Sequence, residues 1–260
     1  ATFIANNFST TLSGMRVGLK SANFVHSIVG TSLMGGMTNS FRKLLGTPKW
    51  SATLPSGFTI NEKFANKASD KKIVYFPSCI SRTMGQSSFS QEDKSLYDVT
   101  VEVLQKAGYE IILPKALEEL CCGMPFSSKG FTKQAEIKST QLEKALLEVS
   151  NNGEYPILCD TSPCTKKMHE SFISDIKIYE PIEFCLDYVV DELEFTKIDE
   201  PITIHTTCSS RKMGLHEKFI DLAKLCSKDV IVPTDVKCCG FAGDRGFNFP
   251  ELNKSALSKL

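Results

Sequence analysis

One phrase, Cys-x-Ser-Arg-x-Met-Gly, occurs twice in the chain, as CISRTMG at residues 79–85 and as CSSRKMG at 208–214. Each copy follows a short apolar run. Each is followed some tens of residues later by Cys-Cys-Gly, at 121–123 and 238–240. This repeat constrains the fold more than any average property does. It asks the chain to build the same strand-to-turn feature twice and to gather thiols from loops distant in sequence. The first unit adds a third cysteine loop, Cys159-Asp-Thr-Ser-Pro-Cys164.

The surrounding pattern says what carries these loops. Apolar runs at 73–76, 110–113, 156–158 and 176–179 read as strands, and 99–107, 133–149 and 164–172 read as helices. In the second unit, strands at 201–205 and 230–232 flank a helix at 215–225. Strands alternating with helices predict an α/β fold with parallel sheets. The cysteines then fall at strand ends, where open α/β sheets place their ligand sites. The expected architecture is two pseudo-repeated parallel-sheet domains, 71–195 and 200–260, preceded by a helical segment.

That preceding segment, 1–61, carries Arg16, Lys20, Arg42, Lys43 and Lys49 and no Asp or Glu. Ile4, Phe8, Leu12, Met15 and Leu19 recur at helical spacing and predict an amphipathic helix. A second helix begins near Phe24, with breakers at Gly30 and Gly35–Gly36, and 47–57 reads as a linker. A basic amphipathic helix suits either an anionic membrane surface, through residues 1–45, or the face of a neighbouring domain. The chain starts with Ala rather than Met and is expected to be a piece of a longer protein.

Ten cysteines in 260 residues, with no secretory signal, point to a reduced compartment and to metal or redox chemistry. No apolar run of about 20 residues predicts a transmembrane helix. A formal net charge of zero gives no reason to expect nucleic acid as a partner. Adjacent cysteines cannot surround one iron, but they suit two irons of one iron–sulfur cluster. The following glycine would let the backbone approach that cluster without a Cβ. Ser81, Thr161 and Ser162 are candidate donors to sulfide. Zinc is the competing metal, although no C-x2-C pair is present. Vicinal disulfides at 121–122 and 238–239 are a further alternative, and Cys185 and Cys226 read as core.

The repeated C…CCG…C pattern resembles the cysteine-rich CCG domain of heterodisulfide reductase B and glycolate oxidase iron–sulfur subunits. YFPSCISRTMG, LCCGMPFSSKGF, CDTSPCT, HTTCSSRKMG and CCGFAGDRGFNFPELN resemble the C-terminal half of FAD- and iron–sulfur-containing D-lactate dehydrogenases. The resemblance implies a first cluster, of 4Fe–4S type, on Cys79, Cys121, Cys122 and Cys164. Cys159 would be a fifth ligand, its spacing departing from the family phrase. A second cluster would use Cys208, Cys238 and Cys239, with its closing ligand about 20 residues beyond Leu260. It also implies FAD in a flavin domain that precedes this chain, and a quinone or cytochrome as acceptor. The location implied is cytoplasmic, peripheral to the inner membrane. The whole would be an oxidoreductase acting on D-lactate or another 2-hydroxy acid, the chain alone not being catalytic. A zinc-stabilised or metal-free interaction module and a disulfide-reducing CCG domain remain the alternatives.

Around the ligands, Arg82 and Arg211 hold equivalent places and either offset cluster charge or form surface ion pairs. His205, three residues before Cys208, either donates a hydrogen bond to a thiolate or replaces a missing ligand, or is a half-buried strand histidine. Asp244 and Arg245 are a candidate ion pair. Ser-Ser-Lys129-Gly130 is a weak phosphate-binding signal. His26, His169 and His216 carry no functional expectation.

Overall fold

The computed structural model describes residues 1–45, 50–87, 90–236, 238–243 and 245–259. Thr47, Pro48 and Lys49 of the expected linker, and Asp244 of the expected ion pair, lie outside them.

The chain opens with helix α1 (Thr2–Asn6) and the long helix α2 (Phe8–Leu45). Gly30, at φ 76° and ψ 169°, breaks α2 into two arms, whereas Gly35 and Gly36 stay helical. The buried side of α1 and the first arm of α2 is Ala5, Phe8, Leu12 and Arg16, while Ile4 and Met15 are exposed. The apolar stripe expected from hydrophobicity is therefore rotated by about one residue. The cause is a specific contact: Arg16 reaches the carboxylate of Glu118 at 2.6 Å and donates from Nε to the Arg82 carbonyl at 3.2 Å. An arginine with two such partners is buried in preference to a methionine.

The parallel sheet forms from the expected runs. β1 (Lys72–Phe76) pairs with β2 (Glu110–Ile112) on one side and β3 (Ile157–Cys159) on the other, and β4 (Ile178–Tyr179) extends β3. The strand order is β2-β1-β3-β4. Ile73, Val74 and Tyr75 are fully buried, as expected for a parallel strand covered on both faces. The crossovers carry α3 (Cys79–Thr83), α4 (Leu96–Lys106), α5 (Met124–Ser127), α6 (Thr132–Val149) and α7 (Ser162–Ser171). From β1 the chain moves outward to β2, then returns across β1 to β3. The β1/β3 boundary is thus a topological switch point, where the loops leaving the strand ends diverge and leave a crevice.

After α8 (Pro181–Phe184), the second unit has two parallel strands, β5 (Ile202–Thr203) and β6 (Val230–Ile231). With them come α9 (Cys208–Lys212), α10 (His216–Cys226), α11 (Arg245–Asn248) and α12 (Pro250–Ala256). Among the described residues the two units differ in size, four strands against two. Cys185 and Cys226 are half-buried, and burial pushes the Cys185 thiol up to about 11.

Candidate metal centre

Three loops bring five thiols to the switch point. Cys79 begins α3 directly after β1, Cys121 and Cys122 lie between β2 and α5, and Cys159 and Cys164 flank the turn from β3 into α7. Each placement has a local cause. Ser78 is the N-cap of α3, its hydroxyl accepting from the Ser81 amide at 3.3 Å. Asp160 aligns the ends of β1 and β3: one oxygen accepts from the Ser78 amide at 2.9 Å, the other from the Tyr75 hydroxyl at 2.9 Å. Asp160 was not foreseen as a site residue. The signal was there, a carboxylate between a buried strand cysteine and a Thr-Ser-Pro turn.

The thiols form a file in which each has its ionisation shifted by the next, from Cys79 to Cys121, Cys122, Cys164 and Cys159. Among the described residues no three His, Cys, Asp or Glu side chains close around a single ion. A row of sulfurs longer than one coordination sphere suits a polynuclear group better than mononuclear zinc. The donors in the row are all soft sulfurs, and the adjacent carboxylate of Asp160 is committed to Tyr75 and Ser78. The residues present therefore fit an iron–sulfur cluster.

Positive charge is built in on one side of the row. Arg82 is fully buried and donates to the carbonyls of Leu117 and Leu120, the latter at 2.7 Å, just before Cys121. It is not a surface ion pair, and it favours the ionised form of Cys79. Lys138 on α6 is only 3% exposed, bonded to Gln141 at 2.7 Å, with its ammonium 5.1 Å above the Phe8 ring. Its spacing from Ala135 and Leu142 put it on the buried face of α6, a signal passed over because lysine is seldom buried. Ala5, Phe8 and Leu12 cover Cys121 together with Phe126 and Ala135, and Cys79 packs against this group. The basic helical start of the chain is thus a lid on the cysteine site.

Gly123 is required by the packing around it. Its φ is +86°, and a Cβ there would lie 2.5 Å from the Ala135 carbonyl oxygen. The glycine serves a left-handed turn packed on α6. Its amide is directed at Cys121 Sγ, 3.4 Å away. Gly123→Ala is expected to cost about 1–2 kcal/mol from the left-handed backbone alone, with the clash added. Urea unfolding checks this, and an unchanged midpoint would contradict it.

The second phrase repeats these local details. Thr207 caps α9 through the Ser210 amide at 3.3 Å, as Ser78 caps α3. The Gly240 amide lies 3.4 Å from Cys238 Sγ, and a Cβ on Gly240, at φ +70°, would lie 2.6 Å from the Leu252 carbonyl oxygen of α12. Cys208 and Cys238 share a hydrogen bond, but both are exposed, and Cys239 is half-buried. Arg211 donates to Thr206 O at 3.3 Å. His205 Nδ1 is buried with no partner among the described residues. His216 bonds Thr206 Oγ1 at 2.9 Å. The two sites are joined directly, since Ser162 and Thr207 share a 2.9 Å hydrogen bond. Thr161 donates to Ser78 at 2.7 Å, and Ser78 shares a bond with Ser81 at 3.1 Å. These hydroxyls tie the loops together. In the Ser-Ser-Lys-Gly stretch the hydroxyls of Ser127 and Ser128 donate to the carbonyls of Met124 and Pro125.

The file of thiols also sets a pH dependence. The bond shared with Cys121, together with burial, raises Cys79. The bond to Cys122 raises Cys121 to about 12, and bonds to Cys122 and Cys159 raise Cys164. Cys122, accepting from Cys121 and Cys164, is held below the ordinary thiol range. The three raised thiols contribute stability that is complete below the unfolded pKa of about 8.5 and is lost as pH rises toward their folded values. Cys122 acts oppositely, its contribution present above that pH and lost as pH falls through its folded value. Three against one, the metal-free protein is expected to lose stability from about pH 8.5 upward. A urea midpoint that stays flat from about pH 8 to 10 would refute this.

These loops on a parallel sheet define a cysteine-rich α/β domain, and the cysteine-rich domain family CCG matches residues 73–168. A lactate utilization protein A from Bacillus pumilus (strain SAFR-032) is 30% identical over 193 residues, 66% of this chain and 73% of the relative. Lactate utilization protein A 1 from Bacillus mycoides (strain KBAB4) is 28% identical over 178 residues, 61% of this chain and 69% of the relative. The chain belongs to the lactate utilization protein A family. No solved structure matches it. Among the described residues no helix is long and apolar enough to cross a membrane.

Proposed function

We propose that the protein is an iron–sulfur electron-transfer module serving the oxidation of lactate. The observation that carries this reading is the file of five thiols at the β1/β3 switch point, four of them buried, supported by the names of the relatives. A 4Fe–4S cluster bound there would supply one-electron storage. The chain's own residues do the rest. Ser78, Asp160 and Gly123 aim the thiols, Arg82 and Lys138 set positive charge against thiolates, and α1 with the first arm of α2 keeps water from Cys121. The second set, Cys208, Cys238 and Cys239, is read as the start of a second cluster site in a pseudo-equivalent domain, tied to the first through Ser162 and Thr207.

In this reading a FAD protein or domain oxidises the 2-hydroxy acid, D-lactate by the sequence resemblance, and passes electrons on. A quinone or cytochrome receives them. The chain lies at the cytoplasmic face of the membrane, held peripherally. Exposed Val17, Phe24 and Ile28 on one arm of α2 and Leu33, Met37, Phe41 and Leu44 on the other form two apolar stripes in an acid-free segment, which supports that placement. Anaerobic reconstitution followed by iron, zinc and acid-labile sulfide analysis tests the reading. Iron and sulfide in equal amounts with visible absorbance are expected, and tight zinc without sulfide would overturn it.

A further inference from the structure

A cavity of about 390 Å³ opens beside Cys79, between the start of the chain and α5. Phe8, Leu12 and Met15 form one wall, Ile80 and Phe126 the other, and Cys79 lies between them. We infer that this cavity binds an uncharged, ring-bearing lipophilic ligand of the quinone class, held against Cys79. The inference rests on the proposed electron-transfer role and gives one of its partners a place.

The lining selects the chemistry. Lys129 is the one charged side chain among the described lining residues. Of the lining hydroxyls, Thr11 already donates to the Asn7 carbonyl and Thr83 to the Cys79 carbonyl. A nucleotide would leave most of its charges and hydroxyls unpaired here, at a cost of about 1–3 kcal/mol for each buried polar group. A hydrophobic ring loses nothing of that kind. The volume falls in the range of about 300–1,000 Å³ usual for small-molecule sites.

Position selects within that chemistry. An apolar molecule resting on a cluster ligand has a use there if it exchanges electrons. A quinone takes two electrons and two protons to become the quinol. Oxidation of lactate to pyruvate releases two electrons and two protons, so the two half-reactions balance without a further reactant. Around the mouth Ile4, Met15, Ile80 and Phe131 are exposed. The first 61 residues, which supply Ile4 and Met15, carry no carboxylate. That surface suits a lipid phase, in which a tailed quinone dissolves and from which it would reach the cavity.

The test uses the full chain, metal-free, titrated with decyl-ubiquinone, whose fully substituted ring does not alkylate thiols. Saturable binding is expected by equilibrium dialysis, weakened at least tenfold by Met15→Trp and by Ile80→Glu. Both residues are exposed, so unchanged thermal midpoints are the control for folding. Bound quinone should also slow alkylation of Cys79, and lactate should not displace it. No saturable binding, or binding indifferent to both substitutions, would overturn the proposal and leave the cavity to an apolar segment of another chain. Because metal-free protein is used, this result is independent of the iron and sulfide analysis, and either reading can fail alone.

Discussion

Cys122→Ser is expected to empty the first cysteine site of iron while leaving the fold in place. Cys122 is the middle of the file, in hydrogen-bond contact with both Cys121 and Cys164. It is the thiol held in its ionised form by those neighbours, and the thiolate is the form that binds metal. Serine keeps the volume and a hydrogen-bonding group but offers a hard oxygen that stays protonated at neutral pH. Metal binding there loses its central soft ligand. Reconstituted Cys122→Ser protein should carry roughly half of the wild-type iron or less, depending on how far the second site loads. Cys185→Ser is the control, because Cys185 is packed against Phe184 and its neighbours in the core and takes no part in the file. It should keep its iron. Full iron in the Cys122 variant would remove the cluster from this site.

How far the site can be read from sequence depends on the range of the interactions that make it. The strands and the cysteine turns are local. Ile73 to Phe76 is apolar and ends at Pro77, so the thiols could be placed at strand ends. The repeated phrase carried the grouping further, since two copies with the same Cys-Cys-Gly partner imply two sites of one design. The lid over Cys121 has no such local mark. Phe8 and Leu12 find Cys121 across more than a hundred residues, and the turn of that helix is fixed by Arg16 meeting Glu118. A hydrophobic periodicity cannot weigh one arginine with a distant partner against two methylene-rich neighbours, and it chose Ile4 and Met15. Gly123 shows the same limit from the other side. The residue was legible as special, but its reason, the carbonyl of Ala135, is a packing fact.

The second large effect is expected at Arg82. The guanidinium is fully buried, spans the carbonyls of Leu117 and Leu120, and lies 5.7 Å from the centre of the Phe76 ring. Its own carbonyl accepts from Arg16, so the residue joins the sheet, the loop before Cys121 and the helical lid. Arg82→Met keeps most of the volume and removes every donor. Two buried carbonyls then lose their partners at about 1–3 kcal/mol each, and a total loss of about 3–5 kcal/mol is expected. Against a typical domain stability of about 5–15 kcal/mol, that is a large share. Arg82→Lys restores the charge but not the fork, because one ammonium cannot reach both carbonyls in the geometry guanidinium provides. It should fall between wild type and Arg82→Met in urea midpoint. The charge has a separate readout. Arg82 favours ionised Cys79, so Cys79 in the Met variant should alkylate more slowly at neutral pH than in the Lys variant. If the loop before Cys121 were held by backbone packing alone, all three proteins would unfold at the same urea concentration.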